Sequence, residues 1–150
     1  FDKIQRLIEA GIAEGATLVT GGPGRPEHLN RGYYVRPTVF GHVTPGMTIE
    51  KEEIFGPVAP ISRFETEAEI IARANDTEYG LAAYIYTRDL QRGMRVASSI
   101  EAGMIALNRG LMSDPAAPFG GVKQSGLGRE GGQHHGIAEF MEAKYLAISI

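Results

Sequence analysis

Apolar residues at Ile4, Leu7, Ile8 and Ile12 recur at helical spacing, while Lys3, Gln5, Arg6, Glu9 and Glu14 fill the opposite face. That periodicity predicts an amphipathic helix from Phe1 to about Gly15, where glycine is a plausible stop. Thr17-Leu18-Val19 predicts a short strand, and Gly21-Gly22-Pro23-Gly24 breaks the chain into a polar surface loop to Gly32. Tyr33 to Phe40 is aromatic and β-branched and reads as extended, with Pro37 marking an edge or a break. Gly41 to Gly46 turns, Met47 to Glu53 is short and solvated, and Val58 to Phe64 is the next strand.

Thr66-Glu67-Ala68-Glu69 fits a capping box, opening a helix to about Asn75 that turns Ala68, Ile71 and Ala72 inward. Leu81 to Thr87 is a strand. A helix follows from about Asp89 to Ser98, with Leu90, Met94 and Ala97 inward, and Ala102 to Leu107 is a strand again. Strand, helix, strand, helix, strand over Val58–Leu107 is an α/β pattern whose connections are long enough for parallel crossovers. After Asn108 the texture changes. Arg109 to Pro118 is irregular, and Phe119 to Gly132 is a glycine-dense loop. A short helix around Glu130–Glu139 is weakened by Gly131, Gly132 and Gly136. Lys144 to Ile150 alternates, and a terminal strand of that kind needs a sheet edge, its own or a neighbour's.

Composition narrows the chemistry. The 150 residues are 43% hydrophobic and 22% charged, with a formal net charge of -3. That balance suits a globular domain with a real core and gives no case for nucleic acid or an anionic membrane as partner. No apolar run is long enough to span a bilayer. There is no cysteine, so disulfides, thiolate metal sites and a cysteine nucleophile are excluded within these residues. Phe1-Asp2-Lys3-Ile4 is neither a secretion signal nor a normal initiator, and the expectation is a chain cut from something longer.

Glu50-Lys51-Glu52-Glu53-Ile54-Phe55-Gly56-Pro57-Val58 runs a charged stretch straight into two large apolar residues and a helix-breaking Gly-Pro. Two readings follow. One is a helix end leading into a core strand, and the other a carboxylate held at a pocket edge beside an aromatic wall. The loop Phe119–Gly132 also has two: a backbone-amide cradle for an anion, or a structural wrap around a tunnel or another domain. Without a strand-loop-helix context the structural reading is the stronger, and no Gly-x-Gly-x-x-Gly follows a strand. His28, His42, His134 and His135 make no ligand spacing with a carboxylate, so no metal site is expected. Ser125 lacks the preceding strand of a nucleophile elbow.

Glu-Glu-Ile-Phe-Gly-Pro at Glu52–Pro57 and Pro-Phe-Gly-Gly-Val-Lys-Gln-Ser-Gly-Leu-Gly-Arg-Glu at Pro118–Glu130 together resemble the aldehyde dehydrogenase superfamily over nearly the whole chain. The resemblance implies the C-terminal segment of that family's catalytic domain. This would be a three-layer α/β fold with a mostly parallel sheet, residues 1–143 forming a partial catalytic domain and residues 144–150 an oligomerisation strand. It implies that Glu53 binds the ribose hydroxyls on the nicotinamide side of NAD or NADP, and that Phe55 packs near the nicotinamide. Gly110-Leu111-Met112-Ser113 before Ala-Pro-Phe-Gly-Gly resembles the succinate-semialdehyde dehydrogenase branch. There a serine at the position of Ser113 hydrogen-bonds the distal carboxylate of the substrate, and Phe119 walls the channel. That branch's carboxylate-binding arginines lie upstream, and Arg109 is not their counterpart. Glutarate-semialdehyde enzymes stay open, since one methylene alters pocket length and not its chemistry.

The resemblance further implies oxidation of an aldehyde to an acid, with the cysteine nucleophile, oxyanion asparagine, general base and dinucleotide-binding domain all preceding Phe1. The expectation is that the 150-residue chain alone is inactive and that its partner is the missing N-terminal part of its own enzyme. A cytoplasmic homodimer or homotetramer joined through Lys144 to Ile150 is also implied. A truncated homologue with a structural role and a stand-alone small-molecule binding module are the readings from other classes.

Overall fold

A computed structural model describes residues 1–149. The chain divides into two compact units, Phe1–Glu65 and Thr66–Ile150. The first unit opens with helix α1 (Asp2–Ala13), followed by strands β1 (Thr17–Thr20) and β2 (Thr38–Gly41), the single-turn helix α2 (Thr48–Lys51) and strand β3 (Val58–Pro60). β1 pairs antiparallel with β2 through a bulge between Leu18 and Thr20, and β2 pairs parallel with β3. The core is a single cluster of Leu7, Ile8, Ala16, Phe40, Val43, Ile49 and Ile54. α1 buries Leu7, Ile8 and Gly11, not the full set the spacing predicts, and Ile12 is exposed. The reason is steric. A Cβ at Gly11 would stand 2.9 Å from Ile49 Cδ1 and 3.2 Å from the Phe40 ring, so the glycine is where α1 comes closest to α2 and β2.

The second unit holds helix α3 (Glu67–Asn75), strand β4 (Ala82–Ile85), helix α4 (Leu90–Ser99), strand β5 (Met104–Leu107), a 3₁₀ turn (Lys123–Ser125) and helix α5 (His134–Ala138). β4 and β5 run parallel in register from Ala82–Met104 to Ile85–Leu107, with α4 as the crossover. The Thr66 cap forms as the sequence suggests, its hydroxyl accepting from the Glu69 amide at 3.1 Å. Asp89 caps α4 in the same way through the Arg92 amide at 3.0 Å.

Three expectations are corrected. The sheet is only partly parallel, because β1 joins antiparallel and β3 belongs to the sheet of β1 and β2 rather than to that of β4 and β5. No residue of α3 is buried, so Ala68, Ile71 and Ala72 form no enclosed face. Leu90 and Met94 are exposed on α4, and the buried residue is Gly93, whose added Cβ would lie 2.9 Å from Leu107 Cδ1. Residues 144–149 form no strand pairing among the described residues, and Ile150 lies outside them.

Candidate functional site

The charged-to-apolar junction is built by the first unit. α2 starts at Thr48, where the Glu14 carboxylate from the end of α1 accepts both the Thr48 amide, at 2.7 Å, and the Thr48 hydroxyl. The helix lasts one turn. At Glu52 the backbone is already extended, its amide donating to Thr48 O at 2.9 Å. Glu53 follows, exposed, its backbone carbonyl accepting from Lys3 Nζ at 2.7 Å. Ile54 turns into the core, and its burial pins the segment from below. The Glu53 carboxylate itself has no hydrogen-bond or ion-pair partner among the described residues.

Phe55 is the unusual residue. Its φ is +58°, in the left-handed region where a bulky residue is an outlier, and the residue is 84% exposed. Beside it, Gly56 packs against α1, where an added Cβ would sit 2.6 Å from Ile4 Cδ1. The chain must pass close under α1 there. The Val58 amide then closes a tight turn onto Gly56 O at 2.7 Å, and Pro57 O accepts from the Thr38 amide at 2.9 Å to begin the β2–β3 ladder. A bulky residue held at positive φ with its side chain in solvent costs stability.

Ser113 and Phe119 belong to the second unit. Ser113 is exposed, on an irregular segment between β5 and an Asp114 turn in which Asp114 Oδ1 accepts the Ala116 amide at 2.9 Å. Phe119 starts the glycine loop and pairs with Glu130 in both directions, each amide to the other's carbonyl at 2.7 Å. It stands at the rim of an open cleft of about 310 Å3 with Leu81, Leu127, Arg129, Glu139 and Phe140.

The two readings of this loop can now be separated. Amides at Val122, Gln124, Ser125 and Gly126 all donate to protein carbonyls. Arg129 Nη1 spans Gly121 O and Gly128 O, each at 2.7 Å, and Ser125 Oγ accepts from the Gly80 amide at 2.9 Å. Lys123 Nζ bonds Asn75 O at 2.8 Å and Glu101 Oε2 at 2.6 Å. Amides occupied at these four positions favour the structural wrap over an anion cradle there. Among the described residues there is no cluster that could hold a metal ion, and no helix is long and apolar enough to cross a membrane.

Sequence reasoning named Glu53, Phe55, Ser113 and Phe119 but gave Asn108 no role beyond a boundary. Asn108 has φ +54° and exchanges two side-chain hydrogen bonds with the backbone of Thr87. Its one legible signal was an asparagine placed where a strand stops.

Known proteins agree with this architecture. The aldehyde dehydrogenase family profile matches residues 1–146. A glutarate-semialdehyde dehydrogenase of Pseudomonas putida is 48% identical over 148 residues, which is 99% of this chain and 30% of that enzyme. The crystal structure of a succinate-semialdehyde dehydrogenase from Burkholderia pseudomallei superposes with a TM-score of 0.92 at 50% identity, covering 99% of this chain and 30% of the other. An aldehyde dehydrogenase of Mycobacterium tuberculosis, crystallised with NAD+, superposes at 0.87 with 46% identity, covering 93% of this chain and 28% of the other. The chain thus spans about 30% of the length of the curated relatives it matches. On the match over residues 1–146 and the shared fold, the chain belongs to the aldehyde dehydrogenase family.

Proposed function

We propose that these residues are the C-terminal part of an NAD(P)+-dependent dehydrogenase that oxidises succinate semialdehyde to succinate, with glutarate semialdehyde as the neighbouring alternative. The observation that carries the reading is Phe55, held in a left-handed conformation with its ring outward beside an unpartnered Glu53 carboxylate. Both groups fit the nicotinamide half of the cofactor. A carboxylate with free oxygens accepts from two ribose hydroxyls, and an exposed ring backs a planar heterocycle. When bound, NAD(P)+ supplies the hydride acceptor.

Each residue then has a defined task. Lys3 fixes the Glu53 backbone, Ile54 anchors the turn, and Glu53 and Phe55 orient the ribose and the ring. Ser113 donates its hydroxyl to the substrate's distal carboxylate, and Phe119 excludes water along the channel. The chain holds no cysteine, so the nucleophile comes from the remaining part of the enzyme. That part is also the partner that would cover these exposed groups. Residues 144–150 would join the sheet of another subunit in a homodimer or homotetramer.

The test begins with the native gene product. Its expected mass is about 54 kDa, the value for which 16.2 kDa is 30% of the whole. That protein should turn over succinate semialdehyde in preference to propanal. Ser113→Ala should raise KM for the semialdehyde about tenfold, the scale of one lost charge-assisted hydrogen bond, with kcat held. A native mass near 16.2 kDa would overturn the reading. So would an aldehyde-dependent rise in NAD(P)H with the 150-residue chain alone.

A further inference from the structure

Strand β5 ends at Leu107, and the next residue decides where the irregular segment goes. Asn108 accepts the Thr87 amide on Oδ1 at 3.0 Å and donates Nδ2 to Thr87 O at 2.8 Å. Its own amide donates to Ile85 O at 2.8 Å. The side-chain amide therefore reproduces, for one further step, the donor and acceptor that a strand residue would offer β4. The backbone is meanwhile released from the strand, its φ having swung to +54°. Asparagine is among the few residues with a side chain that adopt this region readily. The side chain continues the sheet while the main chain leaves it.

Beyond that point residues 109–113 make no hydrogen bond among the described residues. The next fixed point is the Asp114 turn. Along the way Gly110 passes close to the end of β4, where an added Cβ would lie 3.7 Å from the Tyr86 hydroxyl. The direction in which Ser113 is carried is thus set at two ends only, and Asn108 is the upstream one.

We propose that Asn108 is a positioning residue for substrate selection: its reciprocal bonds to Thr87 aim residues 109–113 so that Ser113 meets the distal carboxylate of a semialdehyde. The inference rests on the reading of Ser113 given above. It assigns Asn108 no contact with substrate. Its effect is therefore confined to substrates that need Ser113, whereas a residue that merely stabilised the fold would affect all of them.

The test uses Asn108→Asp, Asn108→Gly and Asn108→Ala. Aspartate keeps the acceptor and the left-handed preference but loses the donor. Glycine keeps the backbone freedom and loses both bonds. Alanine loses all three. In the complete native polypeptide, KM for succinate semialdehyde should rise about tenfold in the glycine and alanine variants and less in the aspartate variant. kcat/KM for propanal, which has no distal carboxylate, should stay within about twofold.

In the same complete polypeptide, exchange of the Thr87 amide should quicken about tenfold or more in the glycine and alanine variants and hold in the aspartate one. Equal losses on both aldehydes would overturn the proposal, as would a glycine variant indistinguishable from wild type. If wild type itself does not prefer the semialdehyde, the reading of Ser113 fails, and with it the selective role. Amide exchange then reports separately whether the Thr87 clamp exists. Should Asn108→Ala not fold, the aspartate and glycine variants carry the test.

Discussion

In residues 1–65, Phe40 and Ile8 are wholly enclosed, with Leu7, Val43, Ile49 and Ile54 packed around them. In residues 66–149, Ala106 is the one described apolar residue with comparable burial, while Tyr84, Tyr86, Leu90, Met94 and Phe140 stand half to nearly fully exposed. The second unit still forms a regular β–α–β crossover with capped helices. What holds it tight is backbone on backbone. An added Cβ at Gly103 would fall 2.0 Å from Gly120 O, and one at Gly80 would fall 2.6 Å from both Glu101 O and Val122 Cγ2. One unit is filled by side chains. The other is clasped at its glycines, with its large apolar side chains exposed. An exposed apolar area of this kind points to an interface.

The largest expected effect lies where side chains fill the core. Phe40→Ala should destabilise the first unit by about 3–5 kcal/mol, the range for an emptied aromatic site. Met94→Ala, on the open face of α4, should stay within about 0.5 kcal/mol. Urea unfolding followed by amide exchange in each unit measures both, and equal costs would break the contrast. Next comes the clasp. Gly103→Ala should cost about 1–3 kcal/mol by overpacking, and the Val122 and Gln124 amides should lose protection first. Unchanged exchange there would show that the glycine contacts do not hold the loop.

The smallest effect is electrostatic. The guanidinium of Arg95, bonded to Glu67, holds that carboxyl below its usual range, and the Arg92 amide does the same for Asp89. A folded-state pKa below the unfolded value adds stability that is complete above the unfolded pKa. It is lost as pH falls through the folded one. Acidification below about pH 4 should therefore loosen α3 and α4 before it touches the core around Phe40. A first unit that melts at higher pH than the second would contradict this.

Local chemistry was legible where one residue type has one job. Thr66 is a cap in the sequence and in the structure, and the helix expected from about Asp89 starts there, with Asp89 as its cap. Glu52–Pro57 and Pro118–Glu130 identify the family, and both short strands of the β4–β5 pair were readable from their residues. Periodicity was less reliable for the inward faces of α1 and α4. It counts Ile12, Leu90 and Met94 as core and treats glycine as silent. In both helices a glycine, Gly11 or Gly93, marks the closest approach, and that rotates the large residues toward solvent. The division into two sheets was hidden because strand order depends on pairing partners, which no local pattern encodes. The terminal alternation at Lys144–Ile150 shows the same limit. An alternating segment states that it suits an edge and not where that edge is. Phe55 was named for its type. Its left-handed backbone, next to a Gly56 packed against Ile4 from across the fold, carries no local signal.

The glycine clasp also sorts this part of the chain by its tolerance to variation. Among the described residues, 109–113 can be randomised without losing a hydrogen bond, whereas a side chain at Gly103 or Gly120 collides with backbone that cannot step aside. A library meant to retune substrate length belongs in the first stretch. The second behaves as a fixed frame, and most clones altered there would be lost to misfolding before selection could see their specificity.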